Sequence, residues 1–414
     1  MTPEVKERIE QLRHGIVPEG YRRTKAGIYP EDWEEYTLGD IYTERKEPGN
    51  ENLPLLMVSI HSGVSDGEVD EADRPKKVKR IEDKSQYKRA ATGDLVFNMM
   101  RAWQGAIGTV RTEGMVSPAY IVAEPNKLVD PLFMDYLMRT PRMVGAIHKQ
   151  SYGVTDFRLR LYWDSFAPIH CVLPSVPEQE KIGEAVDIQN KIIDLKEKLL
   201  AEKQRQKKYL MQQLLTDRMR LPGFDGEWMY VRANQIFRNV TDKKHNGTLE
   251  VLSATQDRGI IPRSLVDIDI KYAVESLTGY KKVAKGNFVI SLRSFQGGIE
   301  YSEYSGIVSP AYTVLSSIYP IEDNYYKQFF KSTDYINRLN IAVYGIRDGK
   351  QISYNDFGRI RIPYPPLDEQ KAIAAVLETA DKEIEILKRN IEQEKQKKKA
   401  LMQLLLTGIV RVNK

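Results

Sequence analysis

Between residues 178 and 217 apolar side chains recur at helical spacing, Ile182, Val186, Ile193 and Leu200, in a stretch with no proline and one internal glycine, Gly183. A second stretch beginning at Glu369 is more regular. Ile373, Ala380 and Leu387 fall seven apart, interleaved with Leu377, Ile384 and Ile391, and this spacing predicts a coiled-coil seam. A proline-rich approach, Leu173 to Pro177 and Pro363 to Leu367, ends the preceding strand and starts each helix sharply. Some forty helical residues at about 1.5 Å each span roughly 60 Å, longer than a typical domain needs. Elsewhere the apolar runs are short. Asp94 to Phe97 and Asn287 to Ile290, preceded by Gly93 and Gly286, predict strands, whereas Pro131 to Thr140 and Asn324 to Lys331 predict helices. Each globular stretch reads as an α+β module with a strongly bent sheet.

The two halves repeat each other. Glu178-Gln179 returns as Glu369-Gln370, and Leu210-Met211-Gln212 with Leu214-Leu215-Thr216 returns as Leu401-Met402-Gln403 with Leu405-Leu406-Thr407, all at an offset of 191. Arg101-Ala102-Trp103-Gln104-Gly105 answers to Arg293-Ser294-Phe295-Gln296-Gly297, and Val116 to Tyr120 answers to Val308 to Tyr312, both offset by 192. Tyr152-Gly153 and Tyr344-Gly345 match as well, and Trp33 answers to Trp228. A repeat of this length is one fold used twice. The predicted domains are residues 1–173 with a short N-terminal helix, a spacer helix at 177–217, a second module at 218–364 and a second spacer helix at 367–407. Two related helices in one chain can pack antiparallel, with pseudo-twofold symmetry, leaving a module at either end. The stretch from Glu4 to His14 runs into a region resembling the tail of each long helix, as though the repeat were cut at a permuted point.

Composition narrows the function. At 414 residues the chain exceeds one ordinary core, and 41% hydrophobic with 29% charged residues fits a folded soluble protein. The excess of 62 basic over 57 acidic residues is a weak pointer to an acidic partner. A single cysteine, Cys171, rules out an internal disulfide and a cysteine-rich zinc site, and fits a reducing cytosol. No apolar run is long enough for a membrane span, so a cytoplasmic protein is expected. The five histidines are scattered without metal-site spacing. The one Pro-Pro pair, Pro365-Pro366, lacks the Asn/Asp-Pro-Pro-aromatic order of an amino-methyltransferase loop. Gly345 to Lys350 is one residue short of a phosphate-binding loop. No catalytic or metal-binding residue is therefore assigned.

Arg-x-aromatic-Gln-Gly, Val-Ser-Pro-Ala-Tyr, a proline-rich hinge, Glu-Gln at the helix start and Leu-Met-Gln-x-Leu-Leu-Thr at its end together resemble the specificity subunit of type I restriction-modification enzymes. The resemblance covers nearly the whole chain, twice. It implies that each module is a target-recognition domain reading half of a bipartite site in double-stranded DNA. It also implies that the helices form an antiparallel spacer docking methyltransferase (modification) subunits, with restriction/translocase subunits added. No cofactor is then bound by this chain; S-adenosylmethionine and ATP belong to the partner subunits. Two like modules a fixed distance apart suit two half-sites separated by about one helical turn or a simple fraction of it. Two other readings stay open: a coiled-coil scaffold that does not bind DNA, and the recognition subunit of a related modification system outside type I.

Modules that read different half-sites should match where they fold and differ where they touch bases. From Arg101 to Tyr120, ten of twenty positions match the second copy. Arg101 and Arg293, with Gln104 and Gln296, are therefore candidates for phosphate contact or support rather than base readout, Trp103 and Phe295 suit the core better than a stacking platform, and Ser117-Pro118 and Ser309-Pro310 suit a turn. The mismatched segments are 60–89 and 255–282. The first carries Lys76, Lys77, Lys79, Arg80, Lys84, Lys88 and Arg89, enough charge to neutralise several phosphates. The second carries Gln256, Arg258, Arg263, Lys281 and Lys282, of which Gln and Arg can pair with adenine or guanine edges. A third loop pair adds Arg158, Arg160, Arg347 and Lys350 as candidate phosphate ligands.

Overall fold

The computed structural model describes residues 2–50, 52–60, 63–65, 86–153, 155, 158–266, 274–292, 294–342 and 352–412. Two uninterrupted helices, Val176–Leu214 and Leu367–Leu405, each follow a mixed module. Compactness divides the chain inside these helices rather than at their ends. One unit comprises Met1–Lys196 and Ile391–Lys414, the other Glu197–Asn390, so each holds a module and half of both helices.

The first module is built on a four-stranded antiparallel sheet in the order Tyr42–Arg45, Tyr120–Pro125, Leu95–Asn98, Ile107–Thr109. The second repeats it as Phe237–Val240, Thr313–Ser317, Phe288–Ile290, Glu300–Tyr301. Alternation along the strands puts Leu95, Phe97, Ile121 and Ala123 into one core and Val96 and Val122 into another, so both faces of the sheet are covered. In the second module Phe288, Ile290 and Leu315 face one core, Val289 and Val314 the other. Further strands pair off outside this sheet. Lys88–Ala90 pairs with Gly114–Val116, and Lys281–Val283 pairs with Gly306–Val308. Two helices then cover one face, Pro131–Met138 with Pro141–Gln150, and Asp323–Phe329 with Thr333–Ala342. The first unit adds a hairpin, Tyr21–Thr24 with Gly27–Pro30, and the helix Pro3–Arg13.

Within the first unit the start of the first long helix meets the end of the second. Gln189 and Lys196 both hydrogen-bond the Glu394 carboxylate, at 2.7 and 2.9 Å. Within the second unit the end of the first helix meets the start of the second, Lys203 on Glu383 and Lys207 on Asp381, at 2.7 and 2.6 Å. Start against end in both units makes the pair antiparallel. Ile182 and Val186 are buried in the core of the first module and Ile373 and Leu377 in that of the second, while Ile193, Ile384 and Ile391 are buried farther along the helices.

The repeated Glu-Gln pair is the joint between module and helix. The Gln179 amide donates to the carbonyls of Pro174 and Leu128 and accepts from the Asp130 amide, whereas Gln370 donates to the Pro365 carbonyl and accepts from the Glu322 amide. The Glu178 carboxylate is gripped through two oxygens by Arg411, both at 2.7 Å, and Glu369 by Arg220 at 2.7 and 2.8 Å. Each arginine lies over the tryptophan of its unit, Arg411 over Trp33 and Arg220 over Trp228. The tail of one long helix thus clamps the start of the other. The chain can turn back there because Asp217 (φ 61°) and Gly408 (φ 69°), also 191 apart, adopt the left-handed conformation that closes a helix.

Candidate nucleic-acid interface

In the first module the strands Leu95–Asn98 and Ile107–Thr109 are joined by a knuckle containing the short 3-10 helix Ala102–Gln104. Its backbone closes on itself: Arg101 N–H donates to the Asn98 carbonyl, and the amides of Gln104 and Ala106 donate to the Arg101 carbonyl. Arg101 and Gln104 stand exposed on it, while half-buried Trp103 donates its indole N–H to the Met100 carbonyl at 3.0 Å. Beside it lies the loop stretch 158–161, tied on by the Leu161 amide bonding the Met99 carbonyl at 2.9 Å. Arg158 and Arg160 are exposed on that loop, and Arg160 reaches the Tyr162 hydroxyl at 3.4 Å. Four candidates from two distant stretches of sequence therefore share one end of the module.

The second module has a corresponding knuckle in the helix Ser294–Gly297, with Gln296 exposed. The turn between Leu252–Thr255 and Gly259–Pro262 lies against it and exposes Gln256 and Arg258. A side chain at Gly297 would meet Gln256 at 2.9 Å, so the absence of a Cβ there permits the contact. Lys331, which none of the sequence patterns singled out, holds these pieces together. Its ammonium donates to the carbonyls of Gln256 (3.2 Å) and Gly297 (2.9 Å) and to the Glu300 carboxylate. A cavity of about 790 Å³ opens here, lined in part by Lys207, Gln256, Arg258, Lys327 and Lys331. Arg258 also contacts Asp257 at 3.8 Å and the Leu265 carbonyl at 3.3 Å, and Arg263 is half-buried at the head of the next 3-10 helix.

Four basic residues of the mismatched segments are engaged by the fold. The Lys281 ammonium donates to the Tyr312 carbonyl, and in the first module Lys88 donates to the Tyr120 carbonyl at 2.8 Å. Burial pushes both ammonium groups below the ordinary lysine value. Their neighbours pair with acids, Arg89 with Glu47 and Glu113, and Lys282 with Asp242 at 3.5 Å. These lysines brace the Val-Ser-Pro-Ala-Tyr turn, in which the amides of Tyr120 and Tyr312 bond the carbonyls of Ser117 and Ser309. Lys76, Lys77, Lys79, Arg80, Lys84, Arg293, Arg347 and Lys350, and the Phe295 side chain, lie outside the described residues. Among the described residues no cluster of metal-ligating side chains occurs, and no helix is long and apolar enough to cross a membrane.

Residues 226–395 match the family model of the type I restriction modification DNA specificity domain. The MjaVIII type I restriction enzyme specificity subunit of Methanocaldococcus jannaschii is 24% identical, over 95% of this chain and 96% of its own length. The EcoBI specificity subunit of Escherichia coli is 29% identical over 39% of this chain and 35% of its own. Two solved structures share the fold. The HsdS subunit of Thermoanaerobacter tengcongensis has a TM-score of 0.50 at 19% identity, covering 92% of this chain and 98% of that one. A chain from the structure of complex assembly and conformational transition in the type I R-M system has a TM-score of 0.54 at 20% identity, covering 92% and 99%. With the specificity domain matched in the second module, its fold repeated in the first, and the similarity running almost end to end, the chain is similar throughout to the specificity subunits of type I restriction-modification enzymes.

Proposed function

We propose that this chain reads a bipartite DNA target, one half-site per module, and positions methyltransferase and restriction subunits on it without a catalytic centre of its own. The observation that carries this reading is the pair of knuckles, equivalent in fold and unlike in their surroundings. Arg101, Gln104, Arg158 and Arg160 cluster in one module, and Gln256, Arg258 and Gln296 in the other. Cationic side chains on such a surface neutralise phosphates, and Gln or Arg adds paired hydrogen bonds to base edges. The outer face of the helices suits partner docking. Leu195 and Ile386, equivalent at an offset of 191, are 66% and 52% exposed, unlike the buried positions of the helices. S-adenosylmethionine and ATP chemistry falls to those partners, and the complex works in the cytoplasm, where the DNA is. The test is to map methylated adenines across the genome in cells with and without the gene. A split motif that vanishes on deletion supports the assignment; an unchanged methylation map overturns it.

The helices act in this reading as a ruler. Inserting one heptad into each adds about 10 Å at 1.5 Å per residue, or about three base pairs at 3.4 Å. The unspecified gap in the methylated motif is expected to lengthen accordingly, with both half-sites unchanged. Altered half-sites with the old gap would contradict the ruler.

A further inference from the structure

An exposed apolar side chain stands at the same point of each knuckle, immediately before its arginine: Met100 in the first module, 48% exposed, and Leu292 in the second, 50% exposed. A single exposed hydrophobe needs no explanation on a protein surface. This one recurs although its identity differs and the second turn is one residue shorter, with 193 separating Phe97 from Ile290 and 192 separating Arg101 from Arg293. The position retains apolar character while its neighbours in the turn change from Asn98-Met99 to Ser291.

The Met100 backbone is fixed from both sides. Its amide donates to the Asn98 side-chain oxygen at 2.9 Å, and its carbonyl accepts the Trp103 indole N–H at 3.0 Å. In the second module the turn is fixed by other means, the Ser291 amide donating to the Ser294 hydroxyl at 2.8 Å and the Ser294 amide to the Ser291 carbonyl. Two different sets of bonds thus hold the two turns, and each turn exposes an apolar side chain. Arg101 follows Met100 directly, and Arg158 and Arg160 stand on the adjoining loop. Cations around an apolar point match a duplex, whose phosphates surround stacked bases. Apolar wedges of this size, Met and Leu among them, enter between base pairs, unstack the step and kink the helix.

We infer that Met100 and Leu292 are wedge residues, each inserting at one base step of its half-site and loosening the stack there. This rests on the DNA-reading assignment above. The contribution is to positioning: the arginines hold the backbone, the wedge opens the step, and a base destined for methylation on a partner subunit leaves the stack at lower cost.

The experiment uses the full chain assembled with its modification subunits, on a duplex carrying the mapped target with 2-aminopurine placed step by step through both half-sites. The wild-type complex is expected to raise 2-aminopurine emission at one step in each. Met100→Ala should abolish the response in one half-site and Leu292→Ala in the other, with specific affinity about tenfold weaker in each case. Met100→Leu should restore the response. The salt dependence of binding should not move, because the phosphate contacts remain. A wild-type response that persists in both alanine variants, or the absence of any step that responds, overturns the wedge while leaving sequence-specific binding intact. Failure of the wild-type complex to prefer its target over random duplex overturns the DNA-reading assignment itself.

Discussion

Arg220→Ala should destabilise the second unit by about 3–5 kcal/mol, the cost of leaving a buried charge without its partner. The Glu369 carboxylate is 0% exposed and receives two hydrogen bonds from Arg220 and a third from the Trp228 indole at 2.9 Å. Removing the guanidinium leaves the indole as a donor that cannot neutralise the carboxylate. It also uncovers the Trp228 face, which the guanidinium approaches to 5.5 Å. The measurement is hydrogen exchange of the second unit, because a chain with two compact units need not unfold in one step. Protection should fall in the core around Phe237 and Tyr326, and Arg220→Ala combined with Glu369→Gln should recover part of it by removing the stranded charge. If the double variant were no more protected than the single one, the clamp would not be the source of the effect.

That clamp marks the limit of what was legible in the sequence. The offset of 191 joining Glu178 to Glu369 also joins Arg220 to Arg411, and a search for repeated charged residues past the helix ends would have found both arginines. Their partner is the less obvious half: each arginine closes on the glutamate of the other repeat, a crossing that only an antiparallel helix pair creates. The helices and the Ser-Pro turns follow from spacing and local chemistry, which are properties of short segments. The basic segments do not yield in the same way. Lys88 and Lys281 are equivalent at an offset of 193, hidden by the one-residue difference in the knuckles, and a lysine's sequence position does not reveal that its ammonium turns inward onto a tyrosine carbonyl. Differences between repeats therefore include compensated structural positions as well as candidate base-reading ones.

Lys331 shows how such compensation bears on recognition. Strand register makes Glu300, opposite Val289, the counterpart of Gly108, opposite Val96. At Gly108 a Cβ would meet the Asp135 carboxylate at 3.0 Å, and Asp135 there pairs with Arg139. In the second module the carboxylate comes from the strand instead, and Lys331, 192 residues after Arg139, remains its cation. Lys331→Met keeps the length of the side chain and removes the charge. Glu300, 2% exposed, would lose its cation, again at a cost of about 3–5 kcal/mol, and the carbonyls of Gln256 and Gly297 would lose their donor. Methylation governed by the second half-site should collapse while the first module keeps its protection from exchange.

The pH dependence identifies the cause. Burial already pushes the Glu300 carboxyl above its ordinary value, and Lys331 is the largest influence holding it down. Without Lys331 the folded chain binds that proton more tightly still, whereas the unfolded chain releases it near the ordinary glutamate value. Stability of the Lys331→Met variant should therefore fall as pH rises from the ordinary glutamate range through the raised folded-state value, and recover on acidification. Adding Glu300→Gln should remove this excess slope and restore much of the stability at neutral pH. Stability of Lys331→Met that is flat with pH, or unimproved by Glu300→Gln, would show that the lysine acts through packing rather than by compensating the buried carboxylate. Recovery of stability without recovery of the second half-site would locate its role in recognition at the carbonyls of Gln256 and Gly297, which hold the turn against the knuckle.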